Sequence, residues 1–438
     1  MSWSSIARGQ VRHLVLAAVR HPVARNAVAL YAARAVNYVF PLILVPYLAR
    51  VLKPSGYGMV LLAQSLAIWL TLIMEYGFVL SATREVARHR REREHLRDIV
   101  SSVLGAQLLL ALTAACLTVA SGFFVDAFRA EPGFAILAWL IAISQAFAPV
   151  WYFQGIELMT YPATVNVIAK GLATGATFLW VGRPEDAWKV LALQGMGGFV
   201  AMWILFGKMA REVRPSWPSA GKVKAALRMG WPLFFYRGAA SLFTTANTFV
   251  LGVFVPPERV AFYAGPEKIA KAMLSTLEPF GQALYPRMTR LAAEDEVKAG
   301  RLGRAALGLV ATLGMVLGFV TWAGASPFVR LFLGDDYAPA IPVLRVLAWV
   351  IPASALGNFL GIQWMLPYGM DRVFNTIIAS SGVLNIALAL VLAPTRGPLG
   401  MATAVVATEA LIALSAFAVL WRRRAALLRL IHYRGRLT

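Results

Sequence analysis

The chain has 438 residues, of which 59% are hydrophobic and only 14% charged, with a mean hydropathy of +0.65. A soluble domain carries about 25% charged residues, so this chain has too little charge to cover a water-facing surface and too much apolar surface for one core. A soluble enzyme, a disordered chain and a disulfide-built secreted domain are excluded, and the net charge of +21 has to be explained by where the cations lie.

In chain order, residues 1–26 hold one short apolar stretch, 14–19, bracketed by Arg and His. This predicts a cytoplasmic interfacial segment, with no cleavable signal peptide evident. A membrane-spanning helix needs roughly 20 mostly apolar residues. Twelve stretches qualify: 27–48, 57–80, 99–121, 133–154, 161–181, 186–206, 231–254, 260–285, 305–328, 339–366, 372–393 and 399–421. The prediction is an all-α integral membrane protein. A first lobe (27–206, spans 1–6) and a second lobe (231–421, spans 7–12) are joined by a cytoplasmic linker (207–230), and a basic tail (422–438) follows. Six spans per half make the halves enter the membrane in the same direction, as parallel repeats do. A local echo fits: "KPSGYG" opens the second span and "PPERVAFYAG" the eighth.

With both termini cytoplasmic, 28 of the 42 Lys and Arg fall in inside segments, 9 in outside loops and five within spans. That asymmetry is the positive-inside signal. The basic segments then mark topology and meet anionic lipid headgroups, and no nucleic-acid partner is expected.

The five cations within spans are Arg34, Lys170, Arg237, Lys268 and Lys271. A cation at mid-membrane costs about 2.5–3.5 kcal/mol even on the lenient insertion scale. Snorkelling to the interface is the plain explanation for Arg237 and Lys268. Helical spacing argues otherwise for the set. Lys268, Lys271, Ser275, Glu278 and Gln282 step by three and four and share a face. Asn166, Lys170, Thr174 and Thr177 do the same, as do Tyr31, Arg34, Asn37, Tyr38 and Pro41; Arg237, Ser241, Thr244 and Thr248; and Gln64, Thr71 and Glu75. Ser and Thr on such faces also serve ordinary helix–helix hydrogen bonding. Together the stripes predict a water-filled central cavity of net positive lining, suited to an anion such as a phosphate ester. Glu75, Glu278 and Glu409 are candidate carriers of a coupling H+ or Na+; ion pairing with the neighbouring lysines is the alternative for Glu278.

Catalytic motifs are missing. There is no P-loop, HExxH or GxSxG. The one cysteine, Cys116, lies in an apolar run, and all five histidines fall in charged stretches, so neither a disulfide nor a buried metal centre is expected. Asp335–Asp336, in an outside loop, is expected to solvate a turn and cap the next helix.

The stretch "ARAVNYVFPLILVPYLARVLKPSGYGMVLLAQSLAIWLTLIMEYGFVLSATREVARHR" resembles the opening spans of O-antigen flippases of the Wzx type, within the MATE-like superfamily of multidrug, oligosaccharidyl-lipid and polysaccharide exporters. "WYFQGIELM", "NVIAK", "WPLFFYRGAASLFTTANTFVLGVF", "FYAGPEKIAKAMLSTLEPFGQALYPRMTRL" and "FLGDDYAPAIPVLRVLAWVIP" resemble later segments in the right order, covering most of 27–366. The resemblance implies twelve helices in two six-helix lobes forming a V around a central cavity. It implies translocation of undecaprenyl-diphosphate-linked oligosaccharide across the bacterial inner membrane, with no catalysis and no cofactor. Arg34, Lys170, Arg237 and Lys268 match places where the family commonly shows basic residues; Lys271, Asn37, Asn166 and Tyr38 join them from the stripes. Polysaccharide polymerase and chain-length regulator proteins are further implied partners. Rival readings are a drug exporter of the same superfamily, which would want a carboxylate-lined cavity; the flippase of the cell-wall lipid precursor, which usually has two more spans; and a membrane transferase or polymerase of the same pathway, which would need a larger outside loop.

Overall fold

The computed structural model describes residues 22–422, with side chains described for 43–234 and 245–422. Helices joined by short turns make up these residues, and no strand occurs among them. In order they are α1 (Pro22–Glu75), α2 (Phe78–Arg88), α3 (Arg93–Phe124), α4 (Asp126–Ala130), α5 (Pro132–Ala146), α6 (Val150–Gly155), α7 (Thr160–Trp180), α8 (Ala187–Val213), α9 (Ala220–Phe254), α10 (Pro257–Ser275), α11 (Glu278–Glu294), α12 (Glu296–Ala323), α13 (Ala325–Phe332), α14 (Ile341–Leu347), α15 (Val350–Asn358) and α16 (Asp371–Arg422).

Seven helical stretches among the described residues are long and apolar enough to cross a membrane. Their outward faces expose Leu112, Val119, Phe123, Phe319 and Leu414. Apolar faces of this extent are satisfied by lipid, and helices leave no backbone group unpaired there. The protein is therefore a multi-pass membrane protein.

The breaks explain where span boundaries depart from those expected. α1 runs through the first two expected spans and is interrupted at Lys53 (φ 59°, ψ 172°), where the following Pro54 disfavours helical backbone. α16 carries the last two and is interrupted at Gly397 (φ 57°, ψ −132°), a conformation open to glycine. The fourth expected span is broken between Ala146 and Val150, at Pro149. The buried Gln107 side chain compensates in part, its Nε2 donating to the Ala146 carbonyl at 2.7 Å. The eighth is broken between Ser275 and Glu278, and the tenth is a chain of short helices ending in a π-type segment, Phe359–Met365. Residues 214–219 join α8 to α9; Ser216 N there donates to Ser101 Oγ at 2.9 Å, and Lys222 at the start of α9 pairs with Asp98 at 2.7 Å.

The halves meet most closely where α1 packs on α10. Gly58 sits against the Pro257 carbonyl, so the segments opened by the two echoing motifs touch at their starts. Around this seam Tyr57, Tyr263 and Tyr337 are fully buried. Arg50 Nη2 donates to the Leu331 carbonyl at 2.6 Å, and Lys53 Nζ lies 2.7 Å from Asp336 Oδ2. Asp336 thus ties the two halves together, a role the turn-and-cap expectation did not include. At the opposite end, Tyr76 stacks on Phe234 with ring centroids 4.7 Å apart.

Candidate functional site

A cavity of about 610 Å³ opens beside this seam. Its walls are α5, α7, α8 and the parts of α1 on either side of the Lys53 break, and α10 contributes Lys268. Close approach of α7 and α8 is possible because Gly197 leaves no Cβ between them; one there would lie 3.1 Å from the Ala169 carbonyl.

Periodicity places the polar lining of α7. Asn166, Lys170, Thr174 and Thr177 recur one helical turn apart, and all face the cavity. Asn166 Nδ2 donates to the Pro162 carbonyl at 2.9 Å, and Thr177 Oγ1 donates to the Ala173 carbonyl at 2.8 Å. Across the cavity, Gln64 Nε2 donates to Gln194 Oε1 at 3.0 Å, bridging α1 and α8. Lys268 reaches in from the other half, its Nζ 3.4 Å from the Tyr57 hydroxyl and 5.6 Å from the centre of the Tyr57 ring.

Lys170 and Lys268 are the charged groups of the described lining, and no described carboxylate is among them. Two ammonium groups in a chamber walled by apolar helices create a positive potential that attracts anions. The amides of Gln64, Gln145, Asn166 and Gln194 add neutral hydrogen-bonding capacity. The arrangement can hold a ligand with a negatively charged end and a hydroxyl-rich one.

Of the residues singled out from the sequence, the cavity brings together Gln64, Asn166, Lys170, Thr174, Thr177 and Lys268. Lys271 is not in the lining although it shares the unbroken α10 with Lys268; its Nζ pairs with Glu267 Oε1 at 3.0 Å, and the break after Ser275 ends the expected stripe before Glu278. Glu278 is exposed at the start of α11, and Glu409 lies half-buried in α16, away from the cavity. Glu75 lines a separate small chamber. The side chains of Arg34, Asn37, Tyr38 and Arg237 lie outside the described residues. The lining also includes Tyr57, Gln145 and Gln194, which spacing did not single out; Gln194 is the one strongly polar residue in the middle of an apolar span, and that was the available signal.

Residues 23–292, more than half the chain, match the profile of a family described as "Polysaccharide biosynthesis protein". The chain belongs to this polysaccharide biosynthesis protein family. Two relatives in the same line are named "Putative O-antigen transporter". The one from Escherichia coli (strain K12) is 25% identical over 393 residues, 89% of this chain and 94% of that one. The one from Shigella dysenteriae is 28% identical over 398 residues, 89% and 98%. The fold is that of the lipid II flippase MurJ in an inward closed conformation, with a TM-score of 0.68 at 14% identity over 94% of this chain and 93% of that one. It is also that of an inward-facing multidrug resistance MATE family transporter of the MOP superfamily, with a TM-score of 0.64 at 17% identity over 87% and 94%. The resemblance to Wzx-type members of the MATE-like superfamily read from the sequence agrees with these findings.

Proposed function

We propose that this polysaccharide biosynthesis protein is a flippase that moves undecaprenyl-diphosphate-linked oligosaccharide, an O-antigen or exopolysaccharide repeat unit, from the cytoplasmic to the periplasmic leaflet of the inner membrane. In this reading twelve spans form two six-helix lobes with both termini cytoplasmic. The seam at Lys53–Asp336 is the periplasmic closure, and the cavity is loaded from the other side. The names of the relatives and the fold shared with a lipid flippase support this.

The observation that carries it is a cavity whose described charged groups are two lysines from opposite halves, with no described acid. The diphosphate meets Lys170 and Lys268 by charge-assisted hydrogen bonds. The amides hydrogen-bond sugar hydroxyls, and the polyprenyl tail stays in lipid. Rocking of the lobes then exchanges access without covalent chemistry. An organic-cation exporter is disfavoured by the same lining.

The test uses a strain lacking the chromosomal gene. Wild-type protein should restore surface polysaccharide and clear the lipid-linked intermediate trapped on the inner leaflet. Lys170→Gln with Lys268→Gln, inserted at wild-type level, should leave that intermediate trapped. Normal surface polysaccharide in the double variant rejects the proposal.

A further inference from the structure

Two amides in the cavity wall are joined by a single bond. Gln64 on α1 and Gln194 on α8 are both half-buried, and Gln64 Nε2 donates to Gln194 Oε1 at 3.0 Å. A primary amide carries one acceptor oxygen and two N–H donors, so two of them can close a ring of two bonds. The return bond, from Gln194 Nε2 to Gln64 Oε1, is not made, and neither side chain has another hydrogen-bond partner among the described residues. The pair therefore offers a free acceptor, Gln64 Oε1, and a free donor, Gln194 Nε2, on separate atoms. The bond between the two amides holds both side chains in place, which lowers the ordering cost of using them.

The helices set the level of this pair. Gly197 on α8 packs against Ala169 and Ala173 of α7, the residues that bracket Lys170. Gln194 stands three residues from Gly197, so the pair lies within about one helical turn of the level of Lys170. The shift is toward the α7–α8 connection, where the Pro184 carbonyl meets Gly56, next to Tyr57. Gln64 shares a face of α1 with Tyr57, against which Lys268 rests. The amides thus sit between the levels at which the two lysines enter. Ile141 lines the cavity and packs on Gly195, beside Gln194, as an apolar wall.

A lipid diphosphate bonded to both lysines brings its first sugar against this pair, and the ring substituent nearest the phosphate is the one on C2. A hydroxyl there puts donor and acceptor on one oxygen. An acetamido group puts them on separate atoms, an N–H and a carbonyl, with a methyl beyond. We propose that Gln64 and Gln194 select a 2-acetamido sugar at the diphosphate end of the cargo. Its N–H donates to Gln64 Oε1, its carbonyl accepts from Gln194 Nε2, and its methyl meets Ile141. The proposal rests on the flippase reading and adds a sugar class to it. Cargo with a 2-hydroxyl leaves one of the two amides dehydrated and unpaired, which is costly. A site built around a polar group discriminates against the analogue that lacks it.

The experiment uses the full chain purified into lipid nanodiscs and measures binding of three probes: undecaprenyl diphosphate, undecaprenyl-diphosphate-linked N-acetylglucosamine and undecaprenyl-diphosphate-linked glucose. Two hydrogen bonds gained or lost correspond to roughly ten- to hundredfold in affinity. Wild type should prefer the acetamido lipid over the glucose lipid by a factor in that range. Gln64→Met and Gln194→Met, which keep the length of the side chain and remove its amide, should each bring the two affinities within about threefold of one another. The ratio of two ligands on one protein is insensitive to expression and to general loss of stability. Equal wild-type affinities for the two sugar lipids overturn the proposal whether or not a variant folds, as does a wild-type preference that persists in a folded Gln194→Met protein. If undecaprenyl diphosphate binds while the two sugars are not distinguished, the anion site of the flippase reading stands and the selection falls. If none of the three lipids binds, both fall.

Discussion

Replacing Gly58 by alanine probes the contact between α1 and α10 that the proposed closure uses. A Cβ at this position would overlap the Pro257 carbonyl and approach the Ala261 Cβ to 3.3 Å. Pro257 begins α10, so its carbonyl is fixed by helical backbone and cannot swing aside as a long side chain would. Overpacking of this kind costs about 1–3 kcal/mol. The cost falls on the arrangement in which the two helix starts touch and vanishes when they part. The balance between closed and parted arrangements should therefore move by about 5–150-fold. Lys53→Cys with Asp336→Cys, joined by a short bis-maleimide, reports the closed arrangement; Cys116→Ser removes the one native thiol, which is exposed. Adding Gly58→Ala should slow cross-linking by a factor in that range. Unchanged cross-linking together with an unchanged Tm would refute the argument that this contact holds the halves shut.

Lys53→Ala should act far more weakly, because both partners of its ion pair are more than half exposed (56% and 53%) and such pairs contribute about 0.2–1 kcal/mol. Closure measured by a spectroscopic distance probe should change by no more than about fivefold, and the change should shrink at high salt. Asp295 caps α12, its Oδ1 accepting from Lys298 N at 3.0 Å and its Oδ2 lying 3.0 Å from Lys298 Nζ. These contacts hold its carboxyl below the usual carboxylate range. The depressed value means its stabilising effect is complete above the ordinary carboxylate pKa and is lost as pH falls through the folded value. Asp295→Ala should accordingly lower Tm at pH 7 and leave it equal to wild type in strong acid. Gly303→Ala places a methyl against the Trp364 ring, which is fully buried. Overpacking of about 1–3 kcal/mol outweighs the roughly 1 kcal/mol by which alanine favours a helix over glycine, so Tm should fall by a few degrees; a rise would show that the ring yields freely.

The helical, lipid-facing character of the chain was legible because apolar runs of span length admit few other structures. Turn-by-turn spacing also placed Asn166 and Lys170 on the cavity face, since α7 is unbroken through them. Glu278 illustrates the limit. Its stripe was extrapolated as one helix through Glu278, yet the backbone restarts there, and Pro279 in the first turn of α11 is the start signal that marks it. Gln145 and Gln194 were not legible as lining, because an isolated amide in an apolar span reads equally as an interhelical hydrogen-bonding group.

Lys170 and Lys268 stand on different halves of the molecule, one on α7 and one on α10. Any rotation of one half against the other must alter the gap between their ammonium nitrogens. A ligand carrying two linked negative charges has a fixed span of its own and matches that gap at one setting only. In the proposed cycle, grip and release would thereby be tied to the same hinge angle: turning far enough to expose the cargo would already spoil the fit.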